Sequence, residues 1–181
     1  IAPSAEAARL PPARGAAAVI SGSCSAATQA QVTNFIAAGG AAFTIDALRA
    51  AAGQDLIAEA LAWAGPRLGE QPLLIYATAA PATVQAVQAQ LGPMRAGALV
   101  EDLLARIAVG LVERGVGRLV VAGGETSGAC VQALGIRGLR IGPQIDPGVP
   151  WCYAEERGLH LALKSGNFGA ADFFCRAFEH R

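Results

Sequence analysis

An α/β layered domain, with a largely parallel central sheet flanked by helices and glycine-rich loops at the sheet edge, is the fold this sequence predicts. Two observations point to it. Apolar runs of strand length alternate with segments of helical periodicity, the pattern of parallel strands joined by crossover helices. Three of those runs end in glycine- and serine-rich turns: Ser21-Gly22-Ser23-Cys24-Ser25, Gly123-Gly124-Glu125-Thr126-Ser127-Gly128 and Ser165-Gly166-Asn167-Phe168-Gly169. Ligands of open parallel sheets bind outside the carboxyl ends of the strands, so converging turns would form a pocket.

The elements follow in order. Residues 16–21 form a short apolar run, and residues 26–38 space Val32, Phe35 and Ile36 in helical fashion. Strands are expected at 41–45 and 73–77, and helices at 56–68 and 83–91. A helix over 98–114 is the clearest, because Val100, Leu103, Leu104, Ile107, Leu111 and Val112 share a stripe that excludes Glu101, Asp102, Arg106 and Glu113. Gly115 and Gly117 end it. A buried strand at 118–122 leads into the turn 123–127 and a helix at 128–134. The last third is richer in strands, at 139–141, 151–154 and 159–164, with a turn at Asp146-Pro147-Gly148 and a closing helix at 171–178.

Composition bounds the function. At 181 residues, 53% hydrophobic and 15% charged, with mean hydropathy +0.40, the chain is long enough for one domain with a full core. Lysine plus arginine equals aspartate plus glutamate, 14 each, so there is no basic excess to hold a nucleic acid or an anionic membrane. The most apolar helical stretch, 96–112, is interrupted by Glu101, Asp102 and Arg106 and is no membrane span. Cys24, Cys130, Cys152 and Cys175 are scattered, and the histidines are His160 and His180, so neither a zinc cluster nor a disulfide scaffold fits and no metal ligands are assigned. Reduced thiols in a cytoplasmic protein are expected. Residues 1–15, with Pro3, Pro11 and Pro12, read as an interdomain linker ahead of a domain at 16–181.

Glycine lets backbone amides approach a phosphate, and a helix that follows adds its free N–H groups. None of the turns is a P-loop, and none is the dinucleotide fingerprint. Glu125 would bind magnesium, contact a ribose or complement a helix N-terminus; Thr126 and Ser127 are candidate N-caps. Lys164, at a strand end, would neutralise phosphate or snorkel at the surface. Asp146 reads as a turn former and His160 as a packed residue.

Taken together, VISGSCSAATQAQV, VVAGGETSGACVQALGI, IGPQIDPGVPW and LALKSGNFGAADFF resemble the carboxy-terminal nucleotide-binding domain of the four-carbon acid sugar kinases, most closely in wording the 3-oxo-tetronate kinases. The resemblance runs from about Ala17 to the end. It implies an ATP-dependent kinase, with Mg2+, acting on the terminal hydroxyl of a four-carbon sugar acid such as 3-oxo-tetronate. It places nucleotide contacts at Ser21, Ser23, Gly123, Gly124, Glu125, Thr126 and Gly166, and leaves the catalytic base unassigned. The family's acidic Asp-Asp-x-Thr-Gly motif for the acid substrate has no match here, so that substrate is expected to bind through an amino-terminal domain absent from this chain, which alone would be inactive. A homo-oligomer remains open. The alternatives are another nucleotide-dependent enzyme, such as one using NAD, and a non-catalytic nucleotide-binding regulatory module.

Overall fold

The structure is a computed structural model that describes residues 9–179. One seven-stranded sheet organises them, in the order β2-β3-β1-β4-β7-β6-β5. The strands are β1 (Ala16–Ser21), β2 (Ala41–Thr44), β3 (Leu73–Tyr76), β4 (Val116–Ala122), β5 (Arg140–Asp146), β6 (Val149–Ala154) and β7 (Leu159–Lys164). β2, β3, β1, β4 and β7 are parallel neighbours, while β6 and β5 add an antiparallel edge.

Successive strand residues serve opposite faces. Ala18, Ile20, Leu73, Ile75, Leu119 and Val121 join one core, which α3 (Leu56–Ala64), α5 (Pro93–Glu113) and α6 (Gly124–Ala133) cover. Ala17, Val19, Leu74 and Val120 join the other, covered by α1 (Ala26–Ala37) and α7 (Phe173–Arg176). A strand buried on both faces reads as an unbroken apolar run, which is why β1 and β4 were visible in the sequence.

Several boundaries differ from expectation. The long helix starts at Pro93, where proline at the first position needs no donor, after Gly92 turns the chain at φ 83° from α4 (Pro81–Leu91). The short α2 (Ala47–Ala51) was unforeseen; Asp46 caps it, its Oδ1 accepting from the backbone N–H groups of Leu48 at 2.8 Å and Arg49 at 3.3 Å. α6 begins at Gly124 and not at 128, because Gly123 alone makes the turn, at φ 124°. β5 runs on to Asp146 through Gly142 and Pro143, which an edge strand tolerates. The closing helix is confined to Phe173–Arg176.

All four cysteines are free, and burial pushes the Cys130 thiol up to about 12. His160 is packed, its ring 4.9 Å from that of Tyr153. No helix among the described residues is long and apolar enough to cross a membrane.

Residues 1–8 of the expected linker, and His180, lie outside the described residues. From Arg9 the chain runs against the sheet: Leu10 packs on the second core, and the Pro11 carbonyl lies 2.9 Å from His160 Nε2. At Gly117 a Cβ would fall on the carbonyl oxygen of Arg14. Because backbone blocks that position, Gly117→Ala is expected to lower stability by about 2 kcal/mol or more, read as a lower urea midpoint with an unchanged slope.

Candidate functional site

Register aligns the ends of the three central strands. Ser21 of β1 pairs with Ala122 of β4, and Ala122 pairs with Lys164 of β7. The turns that follow therefore leave the sheet side by side. The chain departs from β1 into α1 on one face and from β4 into α6 on the other, which makes the β1–β4 boundary the topological switch point where such sheets bind ligands.

The turns touch. The Gly22 and Ser23 N–H groups both donate to the Ala122 carbonyl, at 3.0 and 3.1 Å, and the Gly123 N–H donates to the Lys164 carbonyl at 2.8 Å. A Cβ on Gly22 would strike the Thr126 side chain; one on Gly123 would lie 3.1 Å from Ser23 N; one on Gly166 would lie 2.5 Å from Ser23 Oγ. Ser23, Gly123, Thr126 and Gly166 are thus brought together. Ser21 is placed differently: its buried hydroxyl is bonded to Thr78 Oγ1 at 2.7 Å and ties β1 to the segment after β3.

Ser25, the N-cap of α1, and Thr28 and Gln31 within the helix, none of them among the candidate contacts, hold the third turn. Spaced by three, they share one helix face. Ser25 Oγ donates to the Gly166 carbonyl at 2.6 Å and Thr28 Oγ1 to the same oxygen at 2.9 Å. The Gln31 side-chain amide reaches the carbonyls of Phe168, Gly169 and Ala170 at 3.0, 3.0 and 3.1 Å.

Lys164 completes this arrangement, and it is fully buried rather than snorkelling. Its Nζ donates to Thr28 Oγ1 at 3.1 Å, to the Ser165 carbonyl at 3.1 Å and to the Gly166 carbonyl at 3.2 Å. No carboxylate among the described residues pairs with it. Burial without a counter-ion pulls its pKa down to about 8.

These donors draw the carbonyls of the third turn inward. In a trans peptide the N–H points opposite to the C=O, so the N–H groups of Gly166 and Asn167 face away from the lysine. The same turn shows the result: the Gly169 carbonyl accepts from Gln31, and the next N–H, of Ala170, donates to the Asp146 carboxylate at 2.9 Å. Burial alone would raise the Asp146 pKa, but that N–H and the Arg176 guanidinium hold it below the usual carboxylate range.

In the second turn Gly123 is the N-cap residue and supplies no side chain, so neither Thr126 nor Ser127 caps the helix. The first intrahelical bond runs from Ser127 N–H to the Gly123 carbonyl, at 2.8 Å. The N–H groups of Gly124, Glu125 and Thr126 consequently lack acceptors within the helix. Gly124 is exposed, with nothing within 4 Å of a Cβ built on it; the glycine at positive φ is Gly123.

Beside the turns lies a cavity of about 390 Å³ at the ends of β2 and β3, roofed by α2, α4 and α5; of the candidate residues, Glu125 and Thr126 line it. Glu101 of α5 also lines it, and burial, then the facing Glu125 carboxyl, raise its pKa. Glu125 sits in the first turn of α6, complementing the helix N-terminus. No group of three or more His, Cys, Asp or Glu side chains comes together to hold a metal among the described residues.

Residues 18–174 match the family model described as the nucleotide-binding C-terminal domain. Proteins named 3-oxo-tetronate kinase from Cupriavidus necator and Burkholderia multivorans are 54% and 55% identical to this chain, over 96% of its length. The chain spans 40% of the length of each. A solved structure of a Haemophilus influenzae protein of the DUF1537 family superimposes with a TM-score of 0.86 at 40% identity, over 93% of this chain and 41% of that one. The resemblance read from the three turns is borne out, and the chain belongs to the nucleotide-binding C-terminal domain family.

Proposed function

We propose that this chain forms the ATP-binding part of a kinase that phosphorylates the terminal hydroxyl of a four-carbon sugar acid such as 3-oxo-tetronate. The observation that carries the phosphate reading is Lys164, a buried cation with neutral partners beneath a turn in which the N–H groups of Gly166 and Asn167 face away from it. A buried charge without a counter-ion favours an anion nearby, and the α6 N-terminus adds further donors at the same place. Lys164 is a positioning residue: its three N–H groups are committed to the Thr28 hydroxyl of α1 and to two carbonyls of the turn, so it acts on phosphate through its field and through the loop it orders. The relatives' names support the kinase and the acid.

Phosphoryl transfer requires alignment of acceptor and γ-phosphate together with charge neutralisation. The turns supply the donor side. Mg2+ is held in such sites by one or two carboxylates plus phosphates and waters, and Glu125 with Glu101 beside it fits that requirement. No acidic acceptor motif lies in these residues, so acceptor binding is assigned to other parts of the longer kinases.

Three outcomes are expected. A thermal-shift comparison should show stabilisation by ATP and ADP and none by NAD, because a ligand of the native state raises the midpoint. In a coupled assay the 181-residue chain should release no ADP in response to 3-oxo-tetronate, erythronate or threonate. Gly124→Val, placed where a side chain has room, should fold and yet weaken ATP binding about tenfold by blocking approach to the helix N-terminus.

Lys164 has its own pH signature. Its pKa is 10.5 in the unfolded chain and about 8 when folded. Between those values the unfolded state holds more protons, so this residue makes stability rise with pH across that window. Polyphosphate affinity should instead fall as pH rises through about 8 and the ammonium is lost. Lys164→Met should flatten both profiles and weaken ATP binding about tenfold or more, as followed by calorimetry.

A further inference from the structure

The third turn is a span between two posts. At its start Lys164, Ser25 and Thr28 gather the carbonyls of Ser165 and Gly166. At its end one peptide group, that of Gly169 and Ala170, is gripped from both sides. Its carbonyl accepts from the Gln31 amide of α1 at 3.0 Å, and its N–H donates to Asp146 Oδ2 of β5 at 2.9 Å. A planar group fixed at both polar ends cannot turn over. Gly169 stands at φ 85° close against the core, where a Cβ would lie 2.9 Å from the Phe173 ring.

Asp146 reaches this post from the far edge of the sheet. β5 lies two strands beyond β7, and Asp146 precedes Ala170 by 24 residues. Pro147 restricts Asp146 to extended backbone, and its side chain is only 11% exposed. The two carboxylate oxygens are divided, Oδ2 accepting from the turn and Oδ1 from the Arg176 guanidinium of α7. α7 is in turn anchored by Phe173 and Phe174 in the second core. A residue that only shaped its hairpin would direct its oxygens to N–H groups of that hairpin; both of these bonds leave it. The hairpin presses on the span once more at Gly148, where φ is 79° and a Cβ would lie 2.8 Å from the Phe168 ring.

Resting on the reading of the turns as a polyphosphate site, we propose that Asp146 is a positioning residue for phosphate binding, fixing the far end of the third turn so that the Gly166 and Asn167 N–H groups are presented in place. A loop ordered before the ligand arrives binds it more tightly, because the ordering cost is met on folding. The antiparallel edge, remote from the switch point, thereby becomes part of the site. Asp146 is also an anion beside an anion site, balanced by Arg176. Charge and geometry therefore predict opposite results for its removal. Loss of the carboxylate leaves Arg176 unpaired and by charge alone would strengthen polyphosphate binding, whereas loss of the post would weaken it.

The test is isothermal titration of the 181-residue chain, Asp146→Ala and Asp146→Asn with inorganic tripolyphosphate and ATP, at a temperature where each melt shows a folded chain, with amide exchange followed by nuclear magnetic resonance. Asp146→Ala should weaken both ligands about tenfold and speed exchange at Ala170 more than in β4. Asp146→Asn keeps an oxygen for the Ala170 N–H and loses the charge; it should stay within about threefold of the parent and keep that amide protected. A residue serving stability alone would lower the melting midpoint of Asp146→Ala and leave both affinities as they were. Should Asp146→Ala not fold, Asp146→Ser retains an oxygen for the hairpin but is too short to reach Ala170, and the same losses are expected. Unchanged or tighter tripolyphosphate binding in the folded Ala or Ser variant would overturn the positioning role while leaving the turns as the phosphate site. Equal losses in Asp146→Asn and Asp146→Ala would make the charge responsible and overturn it too. A parent chain that binds neither tripolyphosphate nor ATP would overturn the underlying reading of the turns, and this role with it.

Discussion

A single ammonium group, buried without a carboxylate beside it, sets the geometry on which the rest of this site depends. Taking a charge out of water is costly, and proteins commonly offset the cost with a paired acid. Here Lys164 is surrounded instead by a hydroxyl and two backbone carbonyls. One acceptor for each of its three N–H groups satisfies its hydrogen bonding while leaving its positive charge uncompensated. The cost is borne by the sheet and helices that exclude water, and the charge remains available to an anion.

The same bonds explain why the third turn has the sense it does. A glycine-rich segment is free to present either edge of its peptides. Fixing its carbonyls on Lys164, Ser25, Thr28 and Gln31 removes that freedom and commits the opposite edge to the opening. α1 is therefore both a layer of the core, through Val32 and Phe35, and the scaffold of the turn. Its buried polar face and its buried apolar face serve different tasks on one helix.

The parallel half of the fold was legible because its strands are buried on both sides and its long helix is amphipathic; β1 and β7 lie where the apolar runs put them. What escaped was local. A five-residue helix such as α2 has too few turns to show a period, and only the cap at Asp46 could have announced it. In the second turn two adjacent glycines left open which of them bends the chain, and choosing the longer turn placed Glu125 and Thr126 outside the helix they begin. The three glycine turns were readable as turns, whereas the side chains that orient them were not. Ser25, Thr28 and Gln31 act across more than 130 positions of sequence, and a polar residue every third place in an alanine-rich helix looks like its solvated side. The cavity was hidden for a similar reason, since its walls come from segments spread between Gly22 and Thr126.

The strand order has a consequence for how the molecule comes into being. Of the strands in this sheet β1 is made first, and both its neighbours come later: β3 begins at Leu73 and β4 at Val116. Until then a largely apolar segment has two unpaired edges, the condition in which nascent chains are exposed to misassociation. β4 in turn waits for β7, whose last residue is Lys164. The lysine that orders the pocket thus arrives with the strand that closes the parallel part of the sheet, and long-range pairings of this kind form slowly. Ordering of the third turn therefore waits for the last strand of the parallel set, after the first two turns and the cavity walls between Gly22 and Thr126 have been made.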